Sequence, residues 1–302
     1  MNIFDATIGH IISQLTYRWF PPNSPLELSN SEDITKLSTD EWSDYLGKHE
    51  FDDSKVWTKP FHKLLDSSRD VLLKELSYIA DASSDEIGYL SICDPNYPYL
   101  LRQIKDPPLG LFYRLNIQRL DSPAIAIVGS RKASSDALLE AQNLANILVH
   151  EGGVVVSGGA IGCDTSAHFG AFDDFERSLT IAVMAGGVDR LLPRCNDALF
   201  RKVITQGGLV ISERLRGTDP RPRDFPIRNR IISGLSSRTI IMQAAQRSGA
   251  IATANLALAQ GRDVMVYLPR LGDIRFLGNE SLRDAGAPSF SSAEAYFQMK
   301  WE

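Results

Sequence analysis

The segment Arg221-Pro222-Arg223-Asp224-Phe225-Pro226-Ile227-Arg228-Asn229-Arg230 places four arginines, one asparagine and one phenylalanine within ten residues. A guanidinium offers a rigid fork of donors that matches phosphate oxygens, and an aromatic ring offers a face on which a base stacks. Arg228, Asn229 and Arg230 are therefore expected along a phosphate backbone. Phe225 has two readings of equal weight, a stacking platform or a core residue. The competing reading of Arg228 and Arg230 pairs them with acids of the acidic half of the chain. A second set of candidates consists of short turns that follow apolar runs: Gly129-Ser130-Arg131, Ser157-Gly158-Gly159, Gly186-Gly187 and Ser212-Glu213. Glycine lets a backbone approach a ligand closely, and the N–H groups of a following helix favour an anion. One such turn is commonplace; four at corresponding places point to one phosphate-binding edge.

The elements that must carry these turns read as repeated strand–helix units. The expected strands are Ala124–Val128, Val154–Val156, Leu179–Met184, Leu209–Ile211, Thr239–Met242 and Val264–Leu268. Helical patterns follow at Ser134–His150, from Thr165, near Asn196–Gln206, at Ile227–Leu235 and at Ile251–Gln260. Strands without polar alternation are those covered on both faces, as in parallel sheets. The pattern predicts an α/β fold with a doubly wound, mostly parallel sheet, whose ligands bind beyond the carboxyl ends of the strands. Residues 1–87 predict a small helical N-terminal domain. Residues 88–302 form the main domain, in which 88–120 is an extended connector interrupted by Pro98, Pro107 and Pro108.

Composition sets the class. Hydrophobic residues make up 43% and charged residues 23%, as in an ordinary globular chain. No apolar run reaches the roughly 20 residues that span a bilayer, and the N-terminus lacks a basic leader. The three cysteines are scattered, which excludes a disulfide framework or metal spacing. A cytoplasmic protein without membrane contact is expected. The net charge of −5 hides an asymmetry: residues 190–230 carry ten basic side chains against four acidic. After residue 120 every basic residue is arginine except Lys132, Lys202 and Lys300.

Enzyme motifs are missing. Gly129 is not followed by a dinucleotide fingerprint, no Walker-A run is present, and neither a nucleophile elbow nor a zincin motif occurs. His168 and Asp164 stand four apart, but a lone histidine there reads as a structural hydrogen-bonder and Asp164 as a helix cap. No catalytic residue, metal or cofactor is expected.

In residues 88–287 the chain resembles the DNA-processing protein A family, also called DprA or Smf. The resemblance runs through Tyr97-Pro98, Asp106-Pro107-Pro108, Ile127-Val128-Gly129-Ser130-Arg131 and Val156-Ser157-Gly158-Gly159-Ala160. It continues through Gly162, Asp164, Ala167, His168, Gly187, Asp189, Pro193, Asn196 and Ile211-Ser212-Glu213. Its most specific piece is Phe225–Ser236, followed by Ser248-Gly249, Thr253, Ala257, Gly261-Arg262 and Gly286-Ala287. The resemblance implies an extended Rossmann-like fold and a non-enzymatic homodimer. Such a protein binds single-stranded DNA and loads a RecA-type recombinase during natural transformation or recombination. It also implies that Arg131 and Arg194 contact DNA. The sequence departs from the family at Ile161, where an arginine is usual, at Leu192 for tyrosine, at Gln243 for glutamate, and at Pro269-Arg270 for Pro-Gly. A C-terminal winged helix is not expected. The alternative reading is a nucleotide-binding sensor or phosphoribohydrolase-like relative in a defence or mobile-element system. The run Arg247–Thr253 lacks the Pro-Gly-Gly-x-Gly-Thr pattern and downstream glutamate of those enzymes. The expected binding set is Gly129, Ser130, Arg131, Ser157, Gly158, Gly159, Gly186, Gly187, Arg194, Phe225, Arg228, Asn229, Arg230, Ser248 and Gly249.

Overall fold

The computed structural model describes residues 87–173, 175 and 177–299. The helical domain expected over residues 1–87 lies, but for its last residue, outside the described residues. Two compact units divide the described chain: residues 87–97 with 108–111, and residues 98–107 with 112–299. In the first unit β1 (Ile87–Ser91) leads into a turn that the Tyr97 hydroxyl closes by donating to Pro108 O at 2.7 Å.

The second unit is built on a mixed, mostly parallel sheet with flanking helices. Its strands are β2 (Gly110–Leu115, from Phe112 onward), β3 (Ala124–Val128), β4 (Val154–Ser157), β5 (Thr180–Val183), β6 (Leu209–Ser212), β7 (Arg238–Ile241), β8 (Asp263–Tyr267) and β9 (Ser289–Phe290). They lie in the order β2-β6-β5-β4-β3-β7-β8-β9. β2 runs antiparallel to β6, with Phe112 opposite Ser212, and the other neighbours are parallel. From β3 the chain steps outward through β4, β5 and β6, then returns to the other side of β3 with β7. The strand order thus reverses between β3 and β7.

The helices are α1 (Tyr99–Arg102), α2 (Ser135–His150), α3 (Cys163–Gly170), α4 (Asp197–Thr205), α5 (Asp224–Leu235), α6 (Gly249–Ala259), α7 (Leu277–Asp284) and α8 (Ala293–Gln298). α2 shows why they form where they do. The Ser134 hydroxyl accepts from Ala137 N at 3.4 Å and caps the helix start. Ala137, Ala141, Leu144, Ala145 and Leu148 then recur at helical spacing and bury one stripe. That stripe packs with Ile127, Val155, Ala167 and Ile240 in one core, which Phe290 of β9 and Tyr296 of α8 extend. α5 and α6 pack against one another.

The six strands expected from sequence are present within one or two residues. Sequence reading took β2 only as part of the extended connector and missed β9, a strand of two residues too short to show a pattern. The connector prolines end just before β2. No described helix is long and apolar enough to cross a membrane.

His168 of α3 ties the helix to the sheet. The Thr180 hydroxyl donates to Val155 O at 2.7 Å, so it accepts the 2.8 Å bond from His168 Nδ1. Nε2 is buried and has no hydrogen-bond partner. Burial, aided by the charge of Arg228, pulls the imidazole down to about 3. An unfolded histidine titrates near about 6.5, so between these values the unfolded chain takes up a proton that the folded one refuses. The contribution of this group is complete above pH ~6.5 and falls by about 1.4 kcal/mol per pH unit below it. Urea unfolding at pH 6.5 and 5 should show the His168→Gln variant losing about 2 kcal/mol less than the parent chain. Equal losses would show that His168 is not the acid-sensitive group.

Candidate nucleic-acid interface

The turn after β4 is the centre of the carboxyl edge, and its polar groups are already committed. Gly158 N and Ala160 N donate to Asp164 Oδ2 at 3.2 and 3.4 Å. Gly158 O accepts from Arg228 Nη1 at 2.9 Å, and the same nitrogen donates to Val183 O at the end of β5. Thr165 N and Oγ1 both donate to Ala160 O. The Ser157 hydroxyl donates to Ile127 O at 2.7 Å and so crosses to β3. A Cβ at Gly158 would stand 2.6 Å from Arg228 Nη2. This glycine is required by the guanidinium packed on it, not by an incoming ligand.

Asp164 and Arg228 are both buried. Burial pushes the Asp164 carboxyl up, against the pull of Arg228 and of the N–H groups of Ala160, Gly158 and Gly129. Burial likewise pulls Arg228 down to about 10, Asp164 opposing the change and Arg131 adding to it. Each charge is tolerated because the other is present.

These facts correct part of the sequence reading. Arg228 does not lie along a ligand groove; it is an internal strut between two strand ends. Arg230 is also buried. Its Nη2 meets Glu213 Oε1 at 2.6 Å and its Nε meets Asp106 Oδ2 at 3.1 Å. Burial works against that charge, but Glu213 and then Asp106 outweigh it and raise the guanidinium above its ordinary value. The pairing reading was the right one for Arg230, and Asp106 does belong to the acidic half. Asn229 Oδ1 accepts from Arg228 Nε at 3.2 Å. Gly186 and Gly187 are buried under the loop 215–220: Gly187 N donates to Thr218 O at 2.9 Å, and Ser212 Oγ donates to Gly186 O at 2.6 Å. Neither presents its backbone to a ligand, and Ser157, Gly158 and Gly159 are equally enclosed.

What remains exposed on this edge is smaller and more coherent. The Gly129-Ser130-Arg131 turn leaves β3 at the strand reversal. Ser130 N donates to Gln243 O at 2.7 Å, and Gln243 Oε1 accepts from Ser134 N at 2.8 Å, so the residue after β7 fixes both ends of the turn. Gly162 (φ +88°) packs directly on Ser130 O and Arg131 Cα, an approach and a dihedral that only glycine allows. Arg131 itself is exposed, and its guanidinium lies 5.6 Å from the centre of the Phe225 ring. Phe225 is half-buried, which neither of its two sequence readings requires on its own. Lys132 is exposed beside it.

Arg194 opens a 3-10 turn, Arg194–Asn196, after the cis Leu192-Pro193 bond. It is exposed, and its guanidinium has no ion-pair partner among the described residues. Arg194 helps to line a cavity of about 300 Å³ together with Arg190, Arg201, Asp189, Asp197 and Asp219. The turn is joined to the centre by Asn196, whose Nδ2 donates to Gly159 O at 2.9 Å and to Thr165 Oγ1 at 2.8 Å. Asn196 was absent from the expected binding set. Its place before an amphipathic helix reads as an N-cap, but its side chain makes no capping bond. Ile161, at the tip between the two arginines, is 42% exposed. Ser248 caps α6 by accepting from Ile251 N at 3.4 Å, with Gly249 exposed beyond it.

Residues 88–300 match the family model described as DNA recombination-mediator protein A. The chain is 40% identical over 204 residues to DNA processing protein DprA of Streptococcus pneumoniae, covering 68% of this chain and 71% of that one. It is similar to the crystal structure of the same Streptococcus pneumoniae protein, with TM-score 0.74, 27% identity, 99% of this chain and 96% of that chain covered. It is also similar to DNA processing protein A from Helicobacter pylori, whose structure concerns its single-stranded DNA binding mode. There the TM-score is 0.63 at 30% identity, over 71% of this chain and 95% of the other. The matches to Smf and DprA proteins from Borreliella burgdorferi, Streptococcus pneumoniae, Synechocystis and Bacillus subtilis span from 51% to 71% of those proteins' own length.

The buried and exposed arginines should separate cleanly in stability. Arg228→Leu strands the Asp164 carboxylate and two carbonyls, and should cost about 3–5 kcal/mol in urea unfolding. Arg131→Ala should stay within about 0.5 kcal/mol of the parent chain. Equal effects of the two substitutions would refute the assignment of strut and surface group.

Proposed function

Because the chain belongs to the DNA recombination-mediator protein A family, we propose that it is a non-catalytic binder of single-stranded DNA whose strand runs over Arg131 and Arg194. The observation that carries the reading is the pair of exposed guanidiniums held at the carboxyl edge by one rigid turn. One of them rests on an aromatic ring. Phosphates supply the salt-dependent attraction, and Phe225, Ile161 and the Arg131 plane supply surfaces for splayed bases. The Helicobacter pylori relative, whose structure concerns single-stranded DNA, supports the choice of ligand.

We read the fold as an extended Rossmann-like, doubly wound sheet with its switch point between β3 and β7. On family membership and the resemblance noted above, the reading extends to a cytoplasmic homodimer that hands its strand to a RecA-type recombinase in DNA uptake or recombination. Lys132 and Ser248-Gly249 lie where a longer strand would pass along the same edge.

The test is fluorescence anisotropy of a labelled oligo(dT) titrated with the full chain across a salt series. Binding should weaken steeply with salt and be poorer for duplex. Arg131→Ala and Arg194→Ala should each weaken binding about tenfold or more, and each should lower the salt slope by about 0.7. The loss should be alike for all base sequences. Unchanged affinity in the double variant would place the strand elsewhere, and no binding at low salt would end the single-strand reading.

A further inference from the structure

We propose that Asn196 is a positioning residue for strand binding: it fixes where Arg194 meets the phosphate backbone relative to Arg131. This inference rests on the single-strand reading above and adds to it the device that sets the spacing of the two cations.

The geometry is specific to an amide. Asn196 is 7% exposed, and both protons of Nδ2 are used, on Gly159 O and on Thr165 Oγ1. Thr165 Oγ1 gives its own proton to Ala160 O at 2.7 Å, so toward Asn196 it can only accept. Both partners are acceptors, and the side chain facing them must be a double donor. A carboxylate of the same shape would meet two oxygens with lone pairs and no proton. The backbone of Asn196 is tied as well, its N–H donating to Pro193 O at 2.9 Å. Arg194 therefore stands two residues from an anchored point, on a turn of three residues.

The anchor leads directly to the other cation. Gly159 and Ala160 belong to the turn that Asp164 and Arg228 hold. Two residues on, Gly162 packs on Ser130 O and Arg131 Cα, and Cys163 N donates to Ser130 O at 3.2 Å. The path from Arg194 to Arg131 thus runs through Asn196, the 158–160 turn and Gly162, with a hydrogen bond or a backbone contact at every step. Two cations held at a set spacing engage successive phosphates without first losing the freedom of a loop. If Asn196 is lost, Arg194 remains present and charged but is no longer placed.

The experiment is a double-mutant cycle on the full chain, read by anisotropy with labelled oligo(dT) across salt. Asn196→Ala should weaken binding about as much as Arg194→Ala and lower the salt slope by the same amount, about 0.7. Adding Asn196→Ala to Arg194→Ala should change affinity by less than about twofold, whereas the effects of Asn196→Ala and Arg131→Ala should multiply. Asn196→Asp should fail like Asn196→Ala despite its equal size. A merely structural residue would weaken all backgrounds alike and leave the salt slope untouched, and that result overturns the proposal. Should Asn196→Ala not fold by circular dichroism, Thr165→Val, which removes one acceptor, carries the same cycle and should give a smaller loss with the same non-additivity. Binding by the parent chain with a multiplicative Asn196–Arg194 cycle overturns this inference alone. No binding by the parent chain overturns it together with the reading beneath it.

Discussion

The carboxyl edge of the sheet depends on a single buried charge pair that closes on one peptide. Asp164 takes the N–H of Gly158, and Arg228 takes its carbonyl while reaching on to the end of β5. Removing two charges from water is costly, and the pair survives only because each partner also satisfies backbone groups that would otherwise be orphaned at the strand ends. Such a pair contributes little net stability compared with a well-packed apolar pair. What it contributes here is position, since the ends of β4 and β5 and the starts of α3 and α5 are pinned to one point.

That constraint reassigns the roles of the arginines. Arg228 and Arg230 spend their donors inside the protein, on carbonyls, Glu213 and Asp106. Arg214 does the same with Asp224 at 3.0 Å, which fixes the start of α5. Arg131 and Arg194 are left at the surface, one on an aromatic ring and one without an ion pair among the described residues. The same residue type thus builds the frame and stands exposed on its edge. The planar fork makes both possible: it can bridge two carbonyls in a buried gap, and it can meet a phosphate edge-on outside.

The sequence revealed the frame better than the face. Strands such as Val154–Ser157 and Leu209–Ser212 are unbroken apolar runs because helices cover both faces, and the small residues after them mark where each strand ends. Arg131 was named from the turn after β3 and again by the family resemblance, Arg194 by the resemblance alone, and both stand exposed. The fates of Arg228 and Arg230 were not. They depend on partners 70, 17 and 124 positions away, Gly158, Glu213 and Asp106, and nothing local to Ile227–Arg230 encodes those distances. The glycine turns misled for a related reason. Glycine marks a close approach without saying what approaches, and at Gly158 it is the protein's own guanidinium. Asn196 entered the sequence reading only at the start of a helical pattern and in the family resemblance, and its bonds to Gly159 and Thr165, 37 and 31 positions away, are not encoded locally.

Gln243 shows how a neutral side chain holds the Arg131 turn. It is 1% exposed, and it holds the Arg131 turn through its backbone carbonyl and its side-chain oxygen. A glutamate could make the same acceptor contacts, but it would bury a negative charge at the base of the turn that carries Arg131. That charge would either be paid for by desolvation or draw the nearest guanidinium inward, as Glu213 draws Arg230. The neutral amide secures the turn without adding a second acid beside Asp164, which already takes the Gly129 N–H. Around the edge the acids Asp164, Glu213 and Asp224 are matched to the buried arginines Arg228, Arg230 and Arg214. Arg131 and Arg194 are exposed and form no ion pair among the described residues, and Arg194 shares its cavity with Asp189, Asp197 and Asp219.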